Sequence, residues 1–483
     1  MKLRFLSVAA AALMFAACNE PLNEAAEVEI PQTGDETDEV IVPDNGMIVL
    51  GEKLPNPYSL DNMRKAIEEL NKSGLSKSVV STDIKPTHYY MRFKPKNEAE
   101  VDKVESDTTV FYYSWPLDRE IIGGSTNYRD PELPDSVPSY MYCTVPVDYV
   151  FPNVEHEILE ELYILEDVNV YDNPNETPEM SLSKSAKTPY WPELKNIALK
   201  NVGMEPEVPS LSKGWKPSGK VTYYDNSLKK NVGLQGAPVH TVRTFIGHQC
   251  CTDADGKFSM PKVNCKHTFF IKWKRTDFKI RRKTGLNAAE LVIASKVKKT
   301  TINFNINEEM GIEWKIASVF RGTHYYYYAS HGFNTPSFEL KIRVCELSDT
   351  SRYKYDTDYK SGGGSSLAHV YANSIDNTDD FFFIGNAISA RATHESESYK
   401  EYKNLKRAGI DPYGCYKATD EELKKDWANS VGSYLTRQKY ASFTLSGIIA
   451  QTYMTGYIDY KKLRNALVGS TSLAKFHENY KKF

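Results

Sequence analysis

Between residues 217 and 280 the chain carries a run of short strand signals broken by turn residues, and no other stretch restricts its fold as much. Gly219-Lys220-Val221-Thr222-Tyr223 opens one strand and Gly236-Ala237-Pro238-Val239-His240-Thr241-Val242 opens another. Thr252-Asp253-Ala254-Asp255-Gly256-Lys257-Phe258 reads as a tight turn leading into a third. Asp side chains accept bonds from nearby backbone N–H groups, and Gly256 can take positive φ. Phe269 to Trp273 supplies a fourth strand. Strands joined by Gly/Asp turns within roughly 60 residues predict a small β-sandwich. Asp253 and Asp255 do not form a calcium loop, because the Glu that closes such a loop is missing. His248 beside Cys250 and Cys251 lacks the C-x-x-C spacing of a zinc site.

This order of strands, with its T-D-A-D-G-x-F turn, resembles the carboxypeptidase regulatory-like domain, a transthyretin-like β-sandwich. The resemblance covers 217–280 and implies a packing or spacing role without catalysis. Upstream, Ser59 can cap a helix in which Leu60, Met63, Ile67 and Leu70 recur at helical spacing before Gly74. Strands are expected at Tyr89 to Phe93 and Val110 to Tyr113, and helices at Glu98 to Val104 and Glu155 to Leu162. Together these describe an N-terminal α+β domain over 51–170. Residues 171–216, rich in Ser, Pro, Asn and Glu, read as a linker. The phrases Thr87-His88-Tyr89-Tyr90-Met91-Arg92-Phe93-Lys94-Pro95-Lys96 and Val145-Pro146-Val147-Asp148-Tyr149 resemble the N-terminal region of a family of Gram-negative surface lipoproteins. His88 and His156 read as structural histidines.

The beginning of the chain points to export. Lys2 and Arg4 precede an uncharged run from Phe5 to Ala17, too short to span a bilayer and suited to a signal peptide over 1–17. Phe15-Ala16-Ala17-Cys18 resembles the lipobox of bacterial lipoproteins, although Phe15 departs from the usual Leu. The resemblance implies lipidation of Cys18 and attachment to the outer membrane, at its periplasmic or its cell-surface face. Several acyl chains, at roughly 0.8 kcal/mol per buried CH₂, hold a protein stably. Residues 18–50 form an acidic tether. From Asn19 to Gly46 there are nine acidic residues, three prolines and no Lys or Arg, a composition that cannot offset its ordering entropy by burial. Such tethers resemble surface-export signals of Gram-negative lipoproteins.

Composition sets further bounds. With 483 residues, two to four domains are expected. The net charge of −3 supplies no basic surface for nucleic acid. The 32 tyrosines suit strands and binding surfaces. Besides Cys18, the chain has Cys143, Cys250, Cys251, Cys265, Cys345 and Cys415, and an oxidising envelope permits disulfides among them without the sequence choosing a pairing.

A broken metal motif lies in the C-terminal part. A zincin places two histidines at i and i+4 on one helix face, with a Glu after the first to deprotonate the zinc-bound water. Ala392-Thr393-His394-Glu395-Ser396-Glu397-Ser398 supplies His394 and Glu395 but has Ser398 in the second ligand place. Thr419-Asp420-Glu421-Glu422 then opens a helix through Leu423, Trp427, Val431 and Leu435. The pattern resembles the zincin-like metallopeptidase domain of the same lipoprotein family, in which an H-E-L-A-H helix precedes one bearing E-S-W-A. Aligned on Trp427-Ala428, the third ligand falls at Lys425, with Asp426 beside it. The resemblance implies a mainly helical zincin-like domain over 281–483. His394 and Glu395 are then vestigial, as a metal-ligand and a catalytic position respectively, and Asp426 is a weaker substitute ligand.

The fold expected is therefore multi-domain α+β: an N-terminal α+β domain, a central β-sandwich and a C-terminal zincin-like domain. The function expected is a non-catalytic envelope lipoprotein, a pseudo-peptidase that binds a peptide, glycan or protein partner without a cofactor. One alternative is a zinc metallopeptidase using His394, Asp426 and one of His324, His331 or His369. The other is a structural or adhesive surface protein. Lipidation is directly testable: Cys18→Ala should abolish labelled-palmitate incorporation and release the protein from the membrane fraction, and unchanged labelling would refute it.

Overall fold

The computed structural model describes residues 46–76, 78–134, 136–172, 188–204, 215–225, 229–261, 266–282, 285–298, 301–328, 339–345, 367–371, 478–479 and 481–482. The chain enters through β1 (Val49–Lys53), α1 (Leu60–Ser73), β2 (His88–Phe93) and α2 (Glu98–Glu105). Next come β3 (Arg119–Gly123), β4 (Met141–Pro146), β5 (His156–Leu162), β6 (Asn169–Asp172) and α3 (Trp191–Asn201). A strand-rich stretch follows: β7 (Ser218–Asp225), β8 (Lys230–Gly233), β9 (Pro238–Arg243), β10 (Ile246–Cys251), β11 (Lys257–Ser259) and β12 (His267–Lys272). The remainder is β13 (Phe278–Arg282), β14 (Glu290–Val297), β15 (Ile302–Ile306), α4 (Ile312–Tyr328), β16 (Leu340–Cys345) and β17 (Leu367–Tyr371). The class is mixed α and β, dominated by sheet.

Local chemistry explains α1. Ser59 holds an extended conformation and its side chain accepts from the Asn62 N–H, while Gly74 closes the helix at φ 66°. Met63, Ala66, Ile67 and Leu70 are buried on one face. Asn62 Nδ2 donates to the Ala198 carbonyl at 2.9 Å and so ties α1 to α3. The Asp-Gly turn also forms as expected. Asp253 Oδ1 accepts from the N–H groups of Asp255 and Lys257 at 3.0 and 2.8 Å, and Gly256 sits at φ 79°.

Several expectations need correction. Glu155 to Leu162 is not a helix: β5 pairs with β2, which also pairs with β4. Leu and Glu favour helices, but the ladder pairs every residue of β5 except the bulged Leu159 with β2 and overrides that preference. Val110 to Tyr113 is not a strand; Tyr113 only forms a bridge to Tyr142. The expected linker 171–216 contains the end of β6 and all of α3, whose Trp191, Leu194 and Ala198 are buried in the core.

The strands of 217–280 do not close on themselves either. The five-stranded sheet runs β14-β12-β9-β10-β6, so both edges come from outside that stretch. A second sheet runs β11-β7-β15, with β8 beside β7, and β15 is again external. Residues 290–306, expected to belong to a helical domain, thus complete these sheets. The rest of the expected zincin-like domain, from 372 to 477, lies outside the described residues.

One hydrophobic cluster joins the parts that the sequence separates. It contains Tyr58, Met63 and Leu70 from the N-terminal region together with Val242, Phe245, Phe270 and Val292 from the five-stranded sheet. Phe245 occupies the turn between β9 and β10, where Arg243 pairs with Ile246. Its ring lies 4.8 Å from Tyr90 and 6.5 Å from Tyr58. A second cluster, with Phe93, Val101, Val104, Met141 and Cys143, fills the other face of β2 and β4. The described residues of 46–324 and 339–371 accordingly fall within one compact unit, which runs across the boundaries expected at 170 and 280.

A shared core implies shared unfolding. Phe245→Ala should lower stability by about 3–5 kcal/mol and shift the whole melt of this unit as one transition. Two transitions, only one of them moved, would show that the N-terminal region and the sheets fold separately.

Candidate functional site

The five-stranded sheet is irregular at one end. Against β12, the strand β14 places His267 opposite Val297 but Phe269 opposite Ala294. Ser295 and Lys296 therefore face Thr268 alone, which makes a β-bulge. Lys296 takes φ 54°, a left-handed conformation that a residue with a Cβ resists. Beside it, the turn after β9 holds Thr244 at φ 51°, still less usual for a β-branched residue. Each such residue costs about 1–3 kcal/mol and persists only where its surroundings enforce it. Among the described residues the non-glycine positions with positive φ are Lys229, Thr244 and Lys296, and the last two line the same cleft.

That cleft has a volume of about 350 Å³. The sheet end supplies Val242, Arg243, Thr244, Lys266, His267, Thr268, Ser295 and Lys296. The facing wall is Leu54, Arg119, Glu120 and Ile121 with Trp115, Leu117 and Met204. Leu54, Leu117, Ile121, Val242 and Met204 make an apolar floor. Arg119, Arg243, Lys266 and Lys296 place four cations around it. Glu120 is the one lining carboxylate, and it pairs with Lys296. Arg119 also reaches the Gly51 carbonyl at 3.2 Å. Thr268 Oγ1 and Ser295 Oγ lie 3.4 Å apart on the sheet side. Burial holds the His267 imidazole well below its ordinary pKa, with His248, Arg243 and Lys195 acting in the same direction.

The residues singled out from sequence fare differently. Cys18, His394, Glu395, Ser398, Lys425 and Asp426 lie outside the described residues, as does His331. His369 falls on β17, described by its backbone alone. His324, on α4, stacks on Phe320 at 6.0 Å. Its ring is so close to Gly236 that a Cβ there would collide with it. Burial brings its pKa down to about 4. His88 is likewise lowered to about 4 by burial and contacts Thr87 Oγ1 at 2.9 Å. His156 stacks on Phe151 at 4.4 Å. His88 and His324 serve as packed side chains here, and His156 stacks at the surface.

Cys251 Sγ accepts from Arg275 at 2.7 Å, and Cys143 is a buried thiol. Among the described residues no three His, Cys, Asp or Glu side chains converge as a metal site, and no helix is long and apolar enough to cross a membrane.

Sequence reasoning missed the cleft because its cations come from positions 119, 243, 266 and 296, which share no local pattern. No family model matches the chain, and neither does any curated protein or solved structure.

Proposed function

We propose that the chain is an exported lipoprotein, anchored through Cys18, whose folded body captures a ligand rather than transforming one. The cleft at the end of the five-stranded sheet carries this reading. It joins an apolar floor to a ring of cations, and two backbone conformations of high cost are maintained along its wall. Strain kept at a concave, charged site is the usual signature of a surface selected for something other than stability. The motif His394-Glu395 with Ser398 and Lys425 is in keeping with a pseudo-peptidase. A catalytic zinc takes three protein ligands and keeps one position for water, and this motif offers one imidazole and a cation.

The metallopeptidase alternative needs a further histidine. Of its candidates, His324 is committed to Phe320 and the Gly236 turn, which weakens that reading. A membrane is the expected partner through the lipid.

Metal content tests the non-catalytic half of this proposal. After dialysis, the wild-type chain should hold no stoichiometric zinc by plasma mass spectrometry. Ser398→His with Lys425→Glu should raise zinc affinity more than either change alone, because together they restore two ligands. About one zinc per wild-type chain would overturn the proposal in favour of an enzyme.

A further inference from the structure

We propose that the cleft binds a small amphipathic anion, a carboxylate carried on an apolar body. This rests on the ligand-capture reading and names its chemistry. Three observations converge on it. The first is charge: four cations and one carboxylate line the cleft of a chain whose net charge is −3. Glu120 is paired with Lys296, and Arg119 and Lys266 add positive charge that no other lining carboxylate offsets. Low-dielectric walls strengthen such a field and concentrate anions within it.

The second observation is the floor. Leu54, Leu117, Ile121, Val242 and Met204 are aliphatic or thioether side chains with no hydrogen-bonding capacity. An inorganic anion or a highly hydroxylated molecule gains nothing from them. A hydrocarbon body gains roughly 25 cal/mol per Å² buried. A sugar ring stacks on exposed aromatic faces, but the cleft's Trp115 is only 2% exposed and is turned edge-on to Phe270 at 4.9 Å. The glycan class therefore fits poorly.

The third is size. At about 350 Å³ the cleft stands at the lower end of the ~300–1,000 Å³ usual for small-molecule sites. It accommodates one head group and a short apolar body. Thr244, Thr268 and Ser295 can donate hydroxyls to a carboxylate whose charge the guanidinium groups neutralise, and guanidinium geometry suits a carboxylate's paired oxygens. Both a free organic acid and the C-terminal residue of an apolar peptide carry this chemistry.

The test uses the full mature chain and titration calorimetry with two acid–amide pairs. 4-Phenylbutyrate and 4-phenylbutyramide represent a free acid. N-acetyl-leucyl-phenylalanine and its amide represent a peptide end. At least one acid should bind about tenfold more tightly than its amide, the worth of one charge-assisted hydrogen bond, and should weaken with added salt. Lys266→Gln changes an exposed side chain and should leave the melting temperature unchanged while weakening the acid and not the amide. Arg119→Gln with Arg243→Gln should weaken it further.

The stronger acid identifies the source. Equal binding of acid and amide would overturn the anionic class while leaving ligand capture standing. Binding of neither pair would overturn both. Unchanged acid binding in the three-cation variant set would show that the anion sits elsewhere, and would equally overturn the assignment.

Discussion

The described body depends on a buried lattice of charge. On β13 the side chains of Lys279 and Arg281 are fully buried, and Lys341 lies beside Lys279 in the parallel register of β16. Three cations on one sheet face would be untenable alone, because an isolated buried charge costs several kcal/mol or more. Helix α2 compensates them with Glu98, Asp102 and Glu105, spaced to lie along one side of the helix. Lys279 Nζ donates to Glu105 at 2.7 Å and Asp102 at 2.9 Å. Arg281 and Lys341 both reach Glu98, at 3.1 and 2.9 Å. Burial alone would raise the carboxyls, yet the cations overcome it: Glu98 falls to about 2, and Glu105 is held below the usual range by Lys274 and Lys279. The lattice fastens residues 98–105 to residues 274–281 and 341, with partners 169 or more positions apart in sequence.

A second buried polar chain works in the same direction. Ser114 Oγ donates to Glu290 at 2.6 Å, and Lys272 lies 3.5 Å from the same carboxyl. Arg282 forms a two-point contact with the fully buried Glu313 and also donates to the Glu290 carbonyl. Groups like these contribute little net stability but strongly oppose any other packing, since each mispairing leaves a charge without compensation.

What could be read from the sequence follows the range of the forces involved. Helix α1 was legible because Ser59, Gly74 and the apolar spacing act within one element. The Asp253–Gly256 turn was legible for the same reason. β5 was not, because His156 to Leu162 looks helical by composition and becomes a strand only through β2. The boundary expected at 280 failed because β14 and β15, which close the sheets, lie beyond it. Nor does anything in Phe278-Lys279-Ile280-Arg281-Arg282 say locally that its cations are buried; that depends on α2. The cleft is the extreme case, since its charges meet only after the whole unit has folded. The lipobox-like and zincin-like motifs are legible as local patterns, and they stand on their residues alone.

The lattice makes a demand that denaturation can measure. Urea unfolding of the full chain would be followed for Glu105→Leu, Lys279→Met and the double variant. Each single change should cost about 3–5 kcal/mol, as expected when one member of a buried pair is stranded. The double change should cost clearly less than the sum of the two single losses, because it removes both charges together, while Lys274 keeps Glu339 at 3.2 Å in place of Glu105. If Glu105→Leu cost less than about 1 kcal/mol, the scale of an exposed ion pair, or if the two single losses simply added, the charge lattice would not be what holds this fold together.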